Sequence, residues 1–297
     1  MKTALWVLAA IPLAAQWTPE FSLRVKGVIS VVPSPDGRYL VYAVSTAETG
    51  PERSESVTQL RLDDVRAGRS IALTQGDKSS TTPAFSPDLR YIYFVSARGG
   101  AANLYRIGID GGEAQRLTNW SGDISLMALS PDGRSIVFAG RPKDKAADLA
   151  RKQKLDFRVI GESPADHALW IVPSAGGEPR QLTTSSRHVA SLDWSPDSRR
   201  IAYEHWASPL FDHSMQADIA EVEIEDGSVK PIAATAAAEW TPFYSPDGRS
   251  IAFVRSVIPA RWPGEEHLAV YSRDTSAVRQ LAPTPDTRPS LLGWNAA

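Results

Sequence analysis

The chain has 297 residues, of which 42% are hydrophobic and 22% charged, and its 32 Lys and Arg against 34 Asp and Glu leave a formal charge of −2. That balance is the composition of a globular domain; it excludes a disordered chain and a protein that grips nucleic acid through a basic surface. Cysteine is absent, so neither disulfides nor thiolate metal ligands contribute to the fold.

At the N-terminus, Met1-Lys2-Thr3 precedes an apolar stretch from Ala4 to Ala15, followed by Gln16-Trp17-Thr18-Pro19. A short positive region, a hydrophobic core and a small-residue cleavage site make residues 1–15 a secretory signal, with cleavage expected after Ala15. The mature chain is then exported, to the periplasm or the extracellular space. About a dozen apolar residues fall short of the roughly 20 that cross a bilayer, and no other segment could span a membrane. The alternative reading of this stretch is a buried N-terminal strand or helix.

From Ser34 onward the chain is built on a repeat. Ser34-Pro35-Asp36-Gly37-Arg38 recurs as Ser86-Pro87-Asp88-Leu89-Arg90, Ser130-Pro131-Asp132-Gly133-Arg134, Ser195-Pro196-Asp197-Ser198-Arg199 and Ser245-Pro246-Asp247-Gly248-Arg249, with serines 52, 44, 65 and 50 residues apart. Proline presets φ for the second position of a tight turn, aspartate suits the third, and glycine takes the left-handed position that follows. Leu89 and Ser198 break this rule and predict two slightly less stable turns, through drift or through a reshaped loop at a binding face. After each turn comes an apolar run such as Ser250-Ile251-Ala252-Phe253-Val254, the pattern of a strand packed on both faces.

A second hairpin lies downstream in each period. Leu104 to Thr118 and Leu169 to Thr183 carry it with Gly-Gly turns, and Ile219 to Ile232 and Leu268 to Leu281 are looser copies. Two hairpins per period of about 50 residues make four antiparallel strands, the unit of a β-propeller blade. The predicted fold is therefore all-β: a propeller over residues 16–297 with five complete four-stranded blades. A sixth copy opens at Leu292-Gly293-Trp294-Asn295, in register with Leu192-Asp193-Trp194-Ser195, and reads as truncated, leaving an open ring.

Two loops and the histidines stand outside the repeat. Glu204 to His213 interrupts a blade after its second strand, and its aromatics and histidines suit either a substrate-facing loop or inter-strand packing. His167, His188, His205, His213 and His267 show no short metal-ligand spacing, so they read as surface residues, or else as a metal set gathered from several blades in a central funnel. No calcium loop, phosphate loop or nucleotide fingerprint is present. No catalytic, cofactor-binding or metal-ligating residue set is singled out.

The Ser-Pro-Asp-Gly-Arg turn, the Ile-Ala-Phe type strand, the Gly-Gly hairpin and the Arg-Gln-Leu-Thr ending resemble the propeller repeats of TolB and of the prolyl oligopeptidase family. The 65-residue step, with Lys143 to His167 inserted before Leu169-Trp170-Ile171-Val172, is similar to a connection in the acylaminoacyl-peptidase and dipeptidyl aminopeptidase branch. In that family the propeller gates a C-terminal α/β-hydrolase domain with a Ser-His-Asp triad, so the resemblance implies peptide or protein ligands and a hydrolase partner. These 297 residues contain no G-x-S-x-G elbow: Ser70, Ser135, Ser163 and Ser250 each follow Gly-x, but Ala72, Val137, Ala165 and Ala252 stand where the second glycine belongs. The chain is thus expected to lack catalytic residues and cofactors, with a TolB-like scaffold that binds protein partners as the alternative. Glu265-Glu266 resembles the acidic pair with which dipeptidyl peptidases hold a substrate amino terminus; a solvated surface pair is the other reading.

Overall fold

The structure is a computed structural model that describes residues 18–50, 54–155, 166–184, 186–262, 264–285 and 288–294. The proposed signal at 1–15 and residues 156–165 of the insert before His167 lie outside the described residues. Among the described residues, twenty strands form five antiparallel sheets of four, each a meander in chain order. The first is β1 (Gly27–Pro33), β2 (Tyr39–Thr49), β3 (Ser54–Asp64) and β4 (Arg69–Ala72); the second is β5 (Ser80–Phe85), β6 (Tyr91–Ser96), β7 (Asn103–Gly108) and β8 (Gly111–Arg116). The third is β9 (Asp123–Leu129), β10 (Ser135–Arg141), β11 (Ala168–Pro173) and β12 (Arg180–Gln181). The fourth is β13 (His188–Trp194), β14 (Arg200–Trp206), β15 (Asp218–Glu223) and β16 (Val229–Ala233), and the fifth β17 (Glu239–Tyr244), β18 (Ser250–Ser256), β19 (Glu266–Ser272) and β20 (Val278–Gln280). Among the described residues, helix is confined to α1 (Pro19–Arg24), α2 (Lys145–Lys152) in the insert, and a 3-10 turn at Phe211–Gln216.

The repeat motif is the first hairpin of every sheet. In each copy the serine hydroxyl donates to the aspartate at 2.6 Å, the aspartate accepts from the arginine backbone N–H at 3.0–3.1 Å, and the serine oxygen accepts from the first residue of the next strand at 2.8–3.0 Å. These bonds satisfy backbone groups that a tight turn would otherwise leave unpaired, which explains why serine and aspartate are needed at those two places. Leu89 and Ser198 keep the glycine conformation, at φ of 56° and 60°, so neither reshapes its turn. The Leu-Thr that ends the second hairpin has a parallel role: Thr74, Thr118 and Thr183 accept from the backbone N–H of Leu60, Leu104 and Leu169 at 2.9–3.1 Å.

The wholly apolar second strands are explained by burial on both faces. Along β6, Ile92 and Phe94 join the core shared with the first sheet, and Tyr93 and Val95 the core shared with the third. Along β14, Ile201 and Tyr203 face the third sheet and Ala202 the fifth. Four apolar clusters thus bind the five sheets in sequence, the strand period of two sending successive residues to opposite neighbours. Phe94, Phe138 and Phe253, equivalent in the repeat, are completely buried.

First strands of successive sheets run side by side in the same direction: Trp194 Nε1 donates to the Ala128 carbonyl, and the Tyr244 N–H to Asp193. Among the described residues no apolar cluster joins the fifth sheet to the first, and Val28, Ile29 and Val31 on β1 are each more than half exposed. The propeller is open. The sixth repeat begins in register: Trp294 Nε1 donates to the Phe243 carbonyl at 3.2 Å, the bond that Trp194 makes two sheets earlier.

Candidate binding face and pocket

Because every sheet is an antiparallel meander and the first strands are aligned, all Ser-Pro-Asp turns lie at one end of the propeller and all starts of first and third strands at the other. The turn end is internally satisfied. The opposite end, on the third to fifth sheets, gathers the residues that stand outside the repeat.

His188, first residue of β13, faces Trp206 at the end of β14, with ring centroids 5.5 Å apart, and His167 packs edge-on to His188 at 5.3 Å. Arg141 and Asp123 form an ion pair across β10 and β9. Burial pulls the His188 imidazole down to about 4, with the neighbouring His167 and Arg141 adding to the effect. His205, on the other face of β14 beside Tyr203, is likewise lowered to about 4 by burial and then by Arg187. These imidazoles are neutral at pH 7, and the Nδ1 atoms of His167, His188 and His205 are buried without a hydrogen-bond partner among the described residues. His213 Nδ1 instead bonds the Ser208 hydroxyl at 2.6 Å, and His267 lies in β19 paired with Arg255. The histidines therefore collect in part, but among the described residues no group of three His, Asp or Glu has metal-binding geometry.

Glu204, 4% exposed, ties the fourth sheet to the fifth. It accepts from Ser191 Oγ at 2.8 Å, Trp206 Nε1 at 2.6 Å and the Thr241 N–H at 3.1 Å. Burial raises its carboxyl above the ordinary range, with the three donors opposing the rise. Thr241 is held at φ 55° in front of Pro242, where the pairing of β17 with β18 shifts register. Trp240 stands at this bulge, and its Nε1 donates to the Ser214 carbonyl at 2.9 Å.

Between these elements lies a cavity of ≈ 440 Å³, lined by Trp206, Phe211, Met215, Trp240, Trp262 and Glu266 together with Ser214 and residues 289–291. Phe211 stands edge-on to Trp262 at 6.1 Å. Glu266 begins β19 with its Oε1 3.7 Å from Arg288 Nε, whereas Glu265 lies in the preceding loop, its carbonyl accepting from the Val257 N–H at 3.1 Å. Of the acidic pair only Glu266 lines the cavity. In the Glu204 to His213 segment, Glu204 to Trp206 end β14 and Trp206 packs and bonds within the sheet, while Phe211, 65% exposed, flanks the cavity. Trp240, Ser214 and Arg288 carried no signal in the sequence, being separated by dozens of residues and united only by the neighbouring sheets.

Five four-stranded antiparallel meanders packed face to face define a β-propeller domain. The chain belongs to that family: residues 26–175 match the model described as TolB beta propeller domain. Dipeptidyl-peptidase 5 of Porphyromonas gingivalis is 26% identical over 308 residues, covering 93% of this chain and 44% of that protein. The TolB homolog of Chlorobium chlorochromatii is 24% identical over 234 residues, covering 68% and 53%. Among solved structures, an acylaminoacyl peptidase from Pyrococcus horikoshii superposes with a TM-score of 0.64 at 15% identity, over 89% of this chain and 41% of that one. The chain is thus related both to peptidases and to TolB, and it spans about half or less of the length of these relatives. No described helix is long and apolar enough to cross a membrane.

Proposed function

We propose that this chain is the non-catalytic propeller portion of an exported serine peptidase of the prolyl oligopeptidase family, which gates access and holds peptide substrates for an α/β-hydrolase domain. The observation that carries this reading is the match to dipeptidyl-peptidase 5 along 93% of the chain. The signal at residues 1–15 places the protein in the periplasm or outside the cell, and residues 16–297 supply the propeller. The end that carries Trp206, Trp240 and Glu266 is the one that faces substrate. The match to a TolB homolog supports a second reading, a stand-alone exported scaffold that binds protein partners through its blades. The reading frame beyond Ala297 separates the two: the peptidase requires further strands, then a G-x-S-x-G elbow followed by Asp and His, and a stop codon directly after Ala297 favours the scaffold. The purified chain is expected to leave dipeptide and acyl-peptide chromogenic substrates intact; hydrolysis that a serine-directed inhibitor abolishes would overturn the assignment.

A further inference from the structure

Beside the cavity, Glu266 and Trp262 hold a cationic side chain of the same chain. Arg288, in the segment that follows β20, lays its guanidinium over the Trp262 ring at 4.1 Å from the centroid, with its Nε 3.7 Å from Glu266. A guanidinium on an indole face beside a carboxylate is a cation site: the ring quadrupole and the anion attract it together, and partial burial of Glu266, 21% exposed, strengthens both. Arg288 is 38% exposed, and the residues after it, 289–291, form part of the cavity wall.

We propose that this cavity recognises the guanidinium of an arginine-bearing peptide through Trp262 and Glu266, and that Arg288 is its resident competitor. The proposal rests on the peptide-holding role given above and names the side-chain class involved. Trp206, Phe211 and Trp240 supply the apolar walls for the residues flanking the incoming arginine, as residues 289–291 line it in the resting chain. At ≈ 440 Å³ the cavity is of the size that holds a small ligand or a few side chains.

The test is binding of a fluorescein-labelled hexapeptide, Thr-Arg-Pro-Ser-Leu-Leu, and of its norleucine-for-arginine analogue, to the full chain and to its Arg288→Ala variant. With the competitor removed, the arginine peptide is expected to bind about tenfold more tightly, the effect of one cation–π contact with its ion pair. The norleucine peptide should be unchanged. Adding Trp262→Ala or Glu266→Gln to Arg288→Ala should reverse the gain; Trp262 is exposed and Glu266→Gln keeps the side-chain shape, and circular dichroism checks that each variant stays folded. Equal binding of the two peptides overturns the cation site while leaving a peptide-holding face intact. Binding of neither peptide overturns the cation site, and the peptidase reading is then judged separately by the downstream reading frame.

Discussion

At the scale of single residues, His205 and Asp193 show how burial sets opposite responses to pH within one sheet. The His205 imidazole is pulled down to about 4 by burial, so below the unfolded value near 6.5 the unfolded chain binds a proton that the folded one refuses, and stability falls as the pH drops from 7 to 5. Asp193, whose carboxylate accepts from the Tyr244 N–H at 2.7 Å, is pushed up to about 6 by burial. Here the folded chain takes up the proton first, so stability is gained over the same fall in pH. His205→Phe is expected to lose about 1 kcal/mol less than the parent between pH 7 and pH 5, after allowance for solvent screening. Asp193→Asn should lose about 1 kcal/mol more, because it lacks the gain. Urea denaturation at the two pH values measures both. A parent-to-variant difference that does not change with pH would show that these groups titrate alike in the folded and unfolded chains. Asp36, Asp88 and Asp247 do not interfere, because the serine hydroxyls that donate to them hold their carboxyls below the ordinary range.

At the scale of the element, the five turns are a controlled series, with the same hydrogen bonds around different residues at the left-handed position. Gly37, Gly133 and Gly248 adopt φ of 66–71°, and Leu89 and Ser198 are forced into the same region. A side chain there costs on the order of 1 kcal/mol. Leu89→Gly should therefore stabilise the domain, by about 0.5–1 kcal/mol once the added freedom of the unfolded chain is counted. Ser198→Gly should give less, because the Ser198 hydroxyl accepts from the Asp132 N–H at 3.1 Å and joins the turns of the third and fourth sheets. Thermal melts of the two variants rank them; an equal gain would mean that the bond between turns contributes nothing. The turns were legible in the sequence because every partner lies within five residues of the serine. The role of Ser198 was not, since Asp132 is 66 residues away.

At the scale of the molecule, the open ring leaves its first sheet with one face uncovered. Val28, Ile29 and Val31 on β1 are each more than half exposed, whereas the first strands of later sheets carry buried positions such as Val189, Trp194 and Tyr244 against their neighbours. Apolar side chains in a row on an edge strand favour association. The chain is expected to self-associate with rising concentration, and the double variant Val28→Lys with Val31→Lys to shift it toward monomer in sedimentation velocity. Equal sedimentation of variant and parent would place the contact elsewhere.

The amino-acid sequence by itself determined the blade. Ser-Pro-Asp turns, apolar second strands and Leu-Thr endings act through bonds inside one hairpin or through the strand period of two, and the repeat states the turn and its strand five times and the Leu-Thr ending three times. What only the tertiary structure decided is which end of the ring is chemically distinctive and what meets there. Trp206, Trp240, Trp262, Glu266 and Arg288 come from two sheets and a trailing segment, and one of them, Trp240, stands at the bulge beside Thr241. No spacing announces such a set, because residues far apart along the chain become neighbours only when the apolar faces of successive blades close on one another.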